Sequence, residues 1–176
     1  MVGVHEDIKD DIPLLVMNLI GDQKSCSQQL TLTRAEAALY LWNHSVLAKS
    51  RRAVIDAGAV MPMCALLKQG AVTPANISGK HYAAGAITCF AQEVETLDLM
   101  LSNHNMGNAL RDVLNIGTAE KQTTASLCLS ALADHKDRAA KVLSPGLVKT
   151  LAEILERPPT AQSRDAALGA LFRLVR

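Results

Sequence analysis

The sequence predicts an all-α protein built as an array of stacked helical repeats, and three observations carry that prediction. First, the 176 residues are 49% hydrophobic but only 3% aromatic. Ala, Leu and Met, which are good helix formers, carry the apolar content, and pleated sheets favour aromatic and β-branched residues instead. Second, four segments share a pattern of small residues and leucine: 37–43, 83–89, 125–131 and 167–173. Their last residues stand at 43, 89, 131 and 173, in steps of 46, 42 and 42. Third, Val60 to Leu67 matches Val148 to Leu155 at an offset of 88, which equals the separation of residues 43 and 131. Repeats of this length mark arrays in which each unit buries its apolar face on the next.

The elements follow in order. Ile12 to Ile20 is a weak copy of the Val60 segment. Thr33-Arg34-Ala35-Glu36 is a capping-box pattern that opens the first long helix. Ser50 is placed to cap a short helix over 51–57, ended by Gly58 as a residue just past a helix end would be. The next helix runs over 59–69, with Gly70 as its stop, and a linker over 74–79 leads to a long helix over 80–92. Met106 to Leu114 is another weak copy of the second helix, and Gly146 repeats Gly58. Pro145 and the Pro158-Pro159 pair fall between helices, where a missing N–H does little harm. No strand-like alternation of useful length interrupts the series. Residues 1–176 therefore form one array with approximate repeats 8–48, 49–93, 94–134 and 135–176. Leu41, Ile87, Leu129 and Leu171 are expected to fill the shared core, one per repeat, while Ala and Gly at the crossings let backbones approach.

Bulk properties exclude several functions. A formal charge of +1 lacks the basic footprint of a nucleic-acid binder. That balance conceals an acidic start, where Glu6, Asp7, Asp10, Asp11 and Asp22 face one Lys9, and an excess of basic residues over 136–176. No apolar run approaches the ~20 residues of a membrane span. Acids flank Ile12 to Ile20, which rules out a signal peptide, and Val2 excludes N-myristoylation. The cysteines, Cys26, Cys64, Cys89 and Cys128, are far apart and read as free thiols of a reducing compartment, cytoplasmic or nuclear. His5, His44, His81, His104 and His135 show no metal-ligand spacing. None of the common nucleophile, phosphate-cradle or zinc motifs is present, so no enzyme, cofactor or metal is expected. The run Lys49-Ser50-Arg51-Arg52 reads as a solvated turn, and Glu93 with Glu95 as a solvated helix junction.

The stretch Ala37-Ala38-Leu39-Tyr40-Leu41-Trp42-Asn43-His44-Ser45, followed by Arg51 to Gly58 and then Ala59-Val60-Met61-Pro62, resembles the armadillo repeat. The likeness is strong over 33–70, fair over 135–176, and carried mainly by spacing over 71–134. It implies a right-handed α-solenoid of about three and a half to four three-helix repeats, whose third helices line a concave groove. Asparagines in that groove hold the backbone of an extended peptide. Only Asn43 keeps that position here; Cys89, Ala131 and Arg173 replace the others, and Leu39 stands where the importin-alpha type has tryptophan. The pattern is closer to the beta-catenin, plant U-box and axonemal types.

The resemblance implies a non-enzymatic scaffold that binds another protein, or an extended peptide segment, through the groove or the array ends. Candidate partner contacts are Glu36, Tyr40, Trp42, Asn43, Tyr82 and Arg173, with Thr88, Ser130 and Phe172 at corresponding positions. The competing reading has Trp42 filling the inter-repeat core. The chain begins on a second-type helix and stops inside a third-type one, with no obvious polar cap at either end. This leaves three alternatives open: self-association through the ends, a subunit of a ciliary or cytoskeletal assembly, or the regulatory part of a longer protein.

Overall fold

The computed structural model describes residues 11–21, 33–73, 75–102, 105–134 and 136–176. The readings made above for Val2, His5, Glu6, Asp7, Lys9, Asp10, Asp22, Cys26, Pro74, His104 and His135 lie outside the described residues. Eleven helices and no strand occur among the described residues. In order they are α1 (Ile12–Ile20), α2 (Arg34–Val46), α3 (Ala48–Asp56), α4 (Val60–Lys68), α5 (Ile77–Phe90) and α6 (Val94–Leu101), followed by α7 (Met106–Ile116), α8 (Ala119–Leu132), α9 (Lys136–Val142), α10 (Leu147–Glu156) and α11 (Ala161–Val175). The third helices α2, α5, α8 and α11 pack one on the next, and so do the second helices α1, α4, α7 and α10. Two helical layers therefore enclose one continuous core.

Local chemistry fixes most boundaries as expected. Thr33 and Glu36 close the capping box: Thr33 Oγ1 accepts from the Glu36 backbone N–H at 3.2 Å, and Glu36 Oε2 accepts from the Thr33 N–H at 2.7 Å. Gly58, at φ 85°, adopts the left-handed conformation that any side chain would strain. Two boundaries differ. Helix α3 starts at Ala48, and Ser50 lies inside it and caps nothing, because extended Leu47 ends α2 and starts α3 at once. Helix α5 starts at Ile77, three residues early. The Asn76 side chain folds the preceding loop, accepting from Thr73 N–H at 2.9 Å and donating to Ala71 O at 2.8 Å. Gly79, read as linker, is a buried residue of α5 packed against Ala35 of α2.

Leu41, Ile87 and Leu129 are fully buried in the common core. Leu171 is only half-buried, because no further third helix lies beyond α11 among the described residues. The thiols of Cys64, Cys89 and Cys128 are free and buried, and burial pushes those of Cys64 and Cys128 up to about 12.

The basic run at 49–52 is helix rather than turn, and Arg51 is only 6% exposed. Its guanidinium reaches the end of α5, donating to Glu93 Oε1 at 3.1 Å, to the Gln92 side chain and to Cys89 O. Arg52 pairs with Asp56 at 3.0 Å and with Glu95 at 2.9 Å. Glu93 thus anchors Arg51 between repeats, which corrects the solvated reading for that pair, while Lys49, Arg52 and Glu95 are exposed as expected. The cause is topological: α3 runs past the end of α5, where unpaired carbonyls attract a cation.

Candidate functional site

On the third helices one face packs against the neighbouring third helix, and another faces away from the second-helix layer. On α2, Glu36, Tyr40 and Asn43 stand at helical spacing on one face, with Glu36 and Asn43 exposed and Tyr40 half-buried. Glu36 also closes the capping box, so part of its role is local.

Trp42 is half-buried and lies flat over Gly85 of α5. A Cβ at position 85 would sit 2.2 Å from indole Cε2, so only glycine admits the ring. The indole meets His81 edge-on at 5.3 Å and 73°, and Tyr82 lies 6.2 Å away. His81 is buried, with Nε2 3.0 Å from Thr124 Oγ1 of α8, and burial pushes its pKa down. Trp42, His81, Tyr82 and Thr124 thus join three successive third helices. The structure brings Trp42 and Tyr82 together and places Arg173 at the far end of the array.

The Trp42–Gly85 contact exposes a rule of the array. The residue before the segment end in one repeat meets the residue four before the end in the next: Trp42 with Gly85, and Ser130 with Gly169, whose Cβ would lie 3.9 Å from Ser130 Oγ. Between them, Thr88 and Leu127 line one cavity. Large on nothing seals the first crossing. At the last crossing the Arg173 side chain lies over Gly169, and a cavity of about 530 Å³ opens beside it, where the end of α5 and α6 meet α8 and α9. Its apolar lining includes Val94, Leu97 and Leu127; its polar lining includes Asp134, Arg138 and Arg173. Arg173 donates to Ser130 Oγ at 2.7 Å and to Asp134 Oδ1 at 3.3 Å.

The sequence singled out Trp42 and Tyr82 and set Gly85 among the small residues that let helices approach, but it weighed His81 only as a metal ligand and gave no weight to Arg138 or Asp134. Gly85 carried a usable signal: aligning the repeats three residues out of register, one helical turn, sets it opposite the lone tryptophan.

Known structures share this architecture. An engineered protein matches with a TM-score of 0.72 at 21% identity, covering 93% of this chain and 63% of its own. A designed armadillo repeat protein matches with a TM-score of 0.69 at 18% identity over 93% of this chain. The chain has an armadillo-like repeat fold. Another designed armadillo repeat protein, in complex with the peptide (KR)4, matches with a TM-score of 0.67 at 17% identity. The armadillo-like array spans about 63–64% of the length of these three designed chains. No family model matches the sequence, and no curated protein matches it significantly. Among the described residues no group of three or more His, Cys, Asp or Glu is placed to hold a metal, and no helix is long and apolar enough to cross a membrane.

Proposed function

We propose that the chain is a non-enzymatic scaffold that holds an extended segment of another protein along the third helices α2, α5, α8 and α11. The observation that carries this reading is the row of accessible polar and aromatic side chains on successive third helices. It runs from Glu36, Tyr40 and Asn43 through Tyr82 and Thr88 to the 530 Å³ cavity at Arg173. Tyrosine and arginine are favoured anchors of interfaces, and a side-chain amide pairs with peptide backbone through one donor and one acceptor. The (KR)4 complex of a designed armadillo protein supports the use of this fold for peptides.

The test is selection of binding peptides from a random extended library, followed by the double substitution Tyr40→Ala, Asn43→Ala. Binding is expected to weaken at least about tenfold with a cooperative thermal melt retained, since Asn43 is exposed and Tyr40, though packed on the core, is only half-buried. Unchanged affinity for every selected peptide sinks the assignment.

A second reading, a subunit built into a larger assembly, draws on one specific feature. Leu168 and Phe172 of α11 are 56% and 63% exposed, whereas Ala38, Ala84 and Ser126, which match Leu168 in the earlier repeats, are fully buried. Solution mass separates the readings: a monomer that takes up peptide favours the scaffold, and concentration-dependent self-association favours the assembly.

A further inference from the structure

We infer that the cavity bordered by the end of α5, by α6, α8 and α9, and by Arg173 of α11 is a subsite for an acidic side chain of the bound segment. Arg138 and Arg173 receive its carboxylate, and an apolar side chain two residues along lies against Val94 and Leu127. The inference rests on the groove reading above and gives it a chemistry.

Charge comes first. Three arginines surround one aspartate. Arg173 pairs with the Asp134 carboxylate at 3.3 Å, Arg176 donates to the Asp134 carbonyl, and Arg138 lines the cavity with no ion pair among the described residues. Asp134 therefore offsets one guanidinium and leaves the site cationic. Arg138 is half-buried, so its charge acts across less water than a fully solvated one. A guanidinium presents a planar fork that matches a carboxylate with two parallel hydrogen bonds.

The apolar lining is the second argument. Val94 is 70% exposed and Leu127 45%, and both line the cavity beside the arginines. Side chains two apart in an extended segment point the same way, roughly 6.6 Å from each other. A volume of about 530 Å³ is within the ordinary range of binding clefts and holds two side chains of that spacing. Its third-helix wall is made by Thr88 of α5 with Leu127 and Ser130 of α8.

The (KR)4 peptide of the designed relative has the opposite sign, which defines the experiment. Fluorescence anisotropy is measured on the intact chain with two labelled octapeptides, Asp-Ser-Leu-Ser-Asp-Ser-Leu-Ser and (Lys-Arg)4. The acidic peptide is expected to bind in preference, more weakly as salt rises. R138A should lower its affinity about tenfold, R138E should lower it further, and R52A, outside the cavity, should leave it unchanged. Thermal melts of R138A verify that the fold is retained. Preference for (Lys-Arg)4 overturns the acidic assignment while the groove reading stands. Acidic-peptide binding indifferent to R138E places the contact elsewhere and also overturns it. Failure of both octapeptides to bind overturns the subsite, and the Tyr40/Asn43 variant tested with selected peptides judges the groove independently.

Discussion

The crossing of α2 with α5 and that of α8 with α11 use equivalent positions and reach opposite results. At the first, an indole covers a glycine and three helices lock through His81 and Thr124. At the second, a serine faces a glycine, Arg173 reaches back to that serine, and Ser163 of α11 bonds Thr123 Oγ1 and Ala119 O of α8. A repeat array needs enough small residues for its helices to approach, but it does not need every crossing filled. Where the facing residues are both small, a side chain one turn further along can lie over the glycine, so an indole covers the first crossing, a joint of three helices, and a guanidinium the second.

The largest expected effect lies in the layer beneath both crossings. Leu129→Ala should destabilise the chain by about 2–5 kcal/mol, the range for truncating a fully buried leucine. Leu171→Ala should lose clearly less, because Leu171 is only half-buried. Urea denaturation of the two variants measures the gap, and equal losses would contradict the difference between the middle and the end of the array.

Next comes the joint itself. Gly85→Ala sets a methyl against the indole and should cost about 1–3 kcal/mol, as overpacking does. A shifted tryptophan emission maximum should accompany the loss. A wild-type melt and spectrum would show that Trp42 does not rest on Gly85.

Histidine at the joint makes it sensitive to acid. Burial lowers the pKa of His81 below its value in the unfolded chain, so below about pH 6.5 the unfolded state takes up the proton first. The stability that neutral His81 contributes is present above that pH and is lost as pH falls through its folded pKa. Urea midpoints from pH 7.5 to 5 should decline, and His81→Gln should flatten the decline. An unchanged slope would assign the acid sensitivity to other groups.

The smallest effect is expected at the α8–α11 crossing. A Cβ at Gly169 meets nothing closer than 3.8 Å, and alanine is the better helix former, so Gly169→Ala should be neutral or stabilising by up to about 1 kcal/mol. A loss comparable to that of Gly85→Ala would erase the distinction between the two sites.

The period of the small-and-leucine segments, the Thr33–Glu36 capping box and the Gly58 turn were all legible in the sequence, because each depends on residues within one helix turn or on simple recurrence. Leu41, Ile87 and Leu129 were legible for the same reason. The start of α5 was not, since it depends on Asn76 closing a loop through its own side chain. Nor was the burial of Arg51, whose partners lie 38 to 42 residues away. The candidate site divides in the same manner. Tyr40, Trp42 and Asn43 stand out by type, but the cavity is lined by residues from Thr88 to Arg173, 85 positions apart, and no single segment states that relation.

The three buried thiols supply a clock for the array. Cys64, Cys89 and Cys128 sit on α4, α5 and α8, and high pKa values together with burial keep them unreactive while their helices stay closed. An alkylating reagent therefore marks each one only when its own stretch of the solenoid opens. The order in which the three become labelled is a natural record of where the array unzips first.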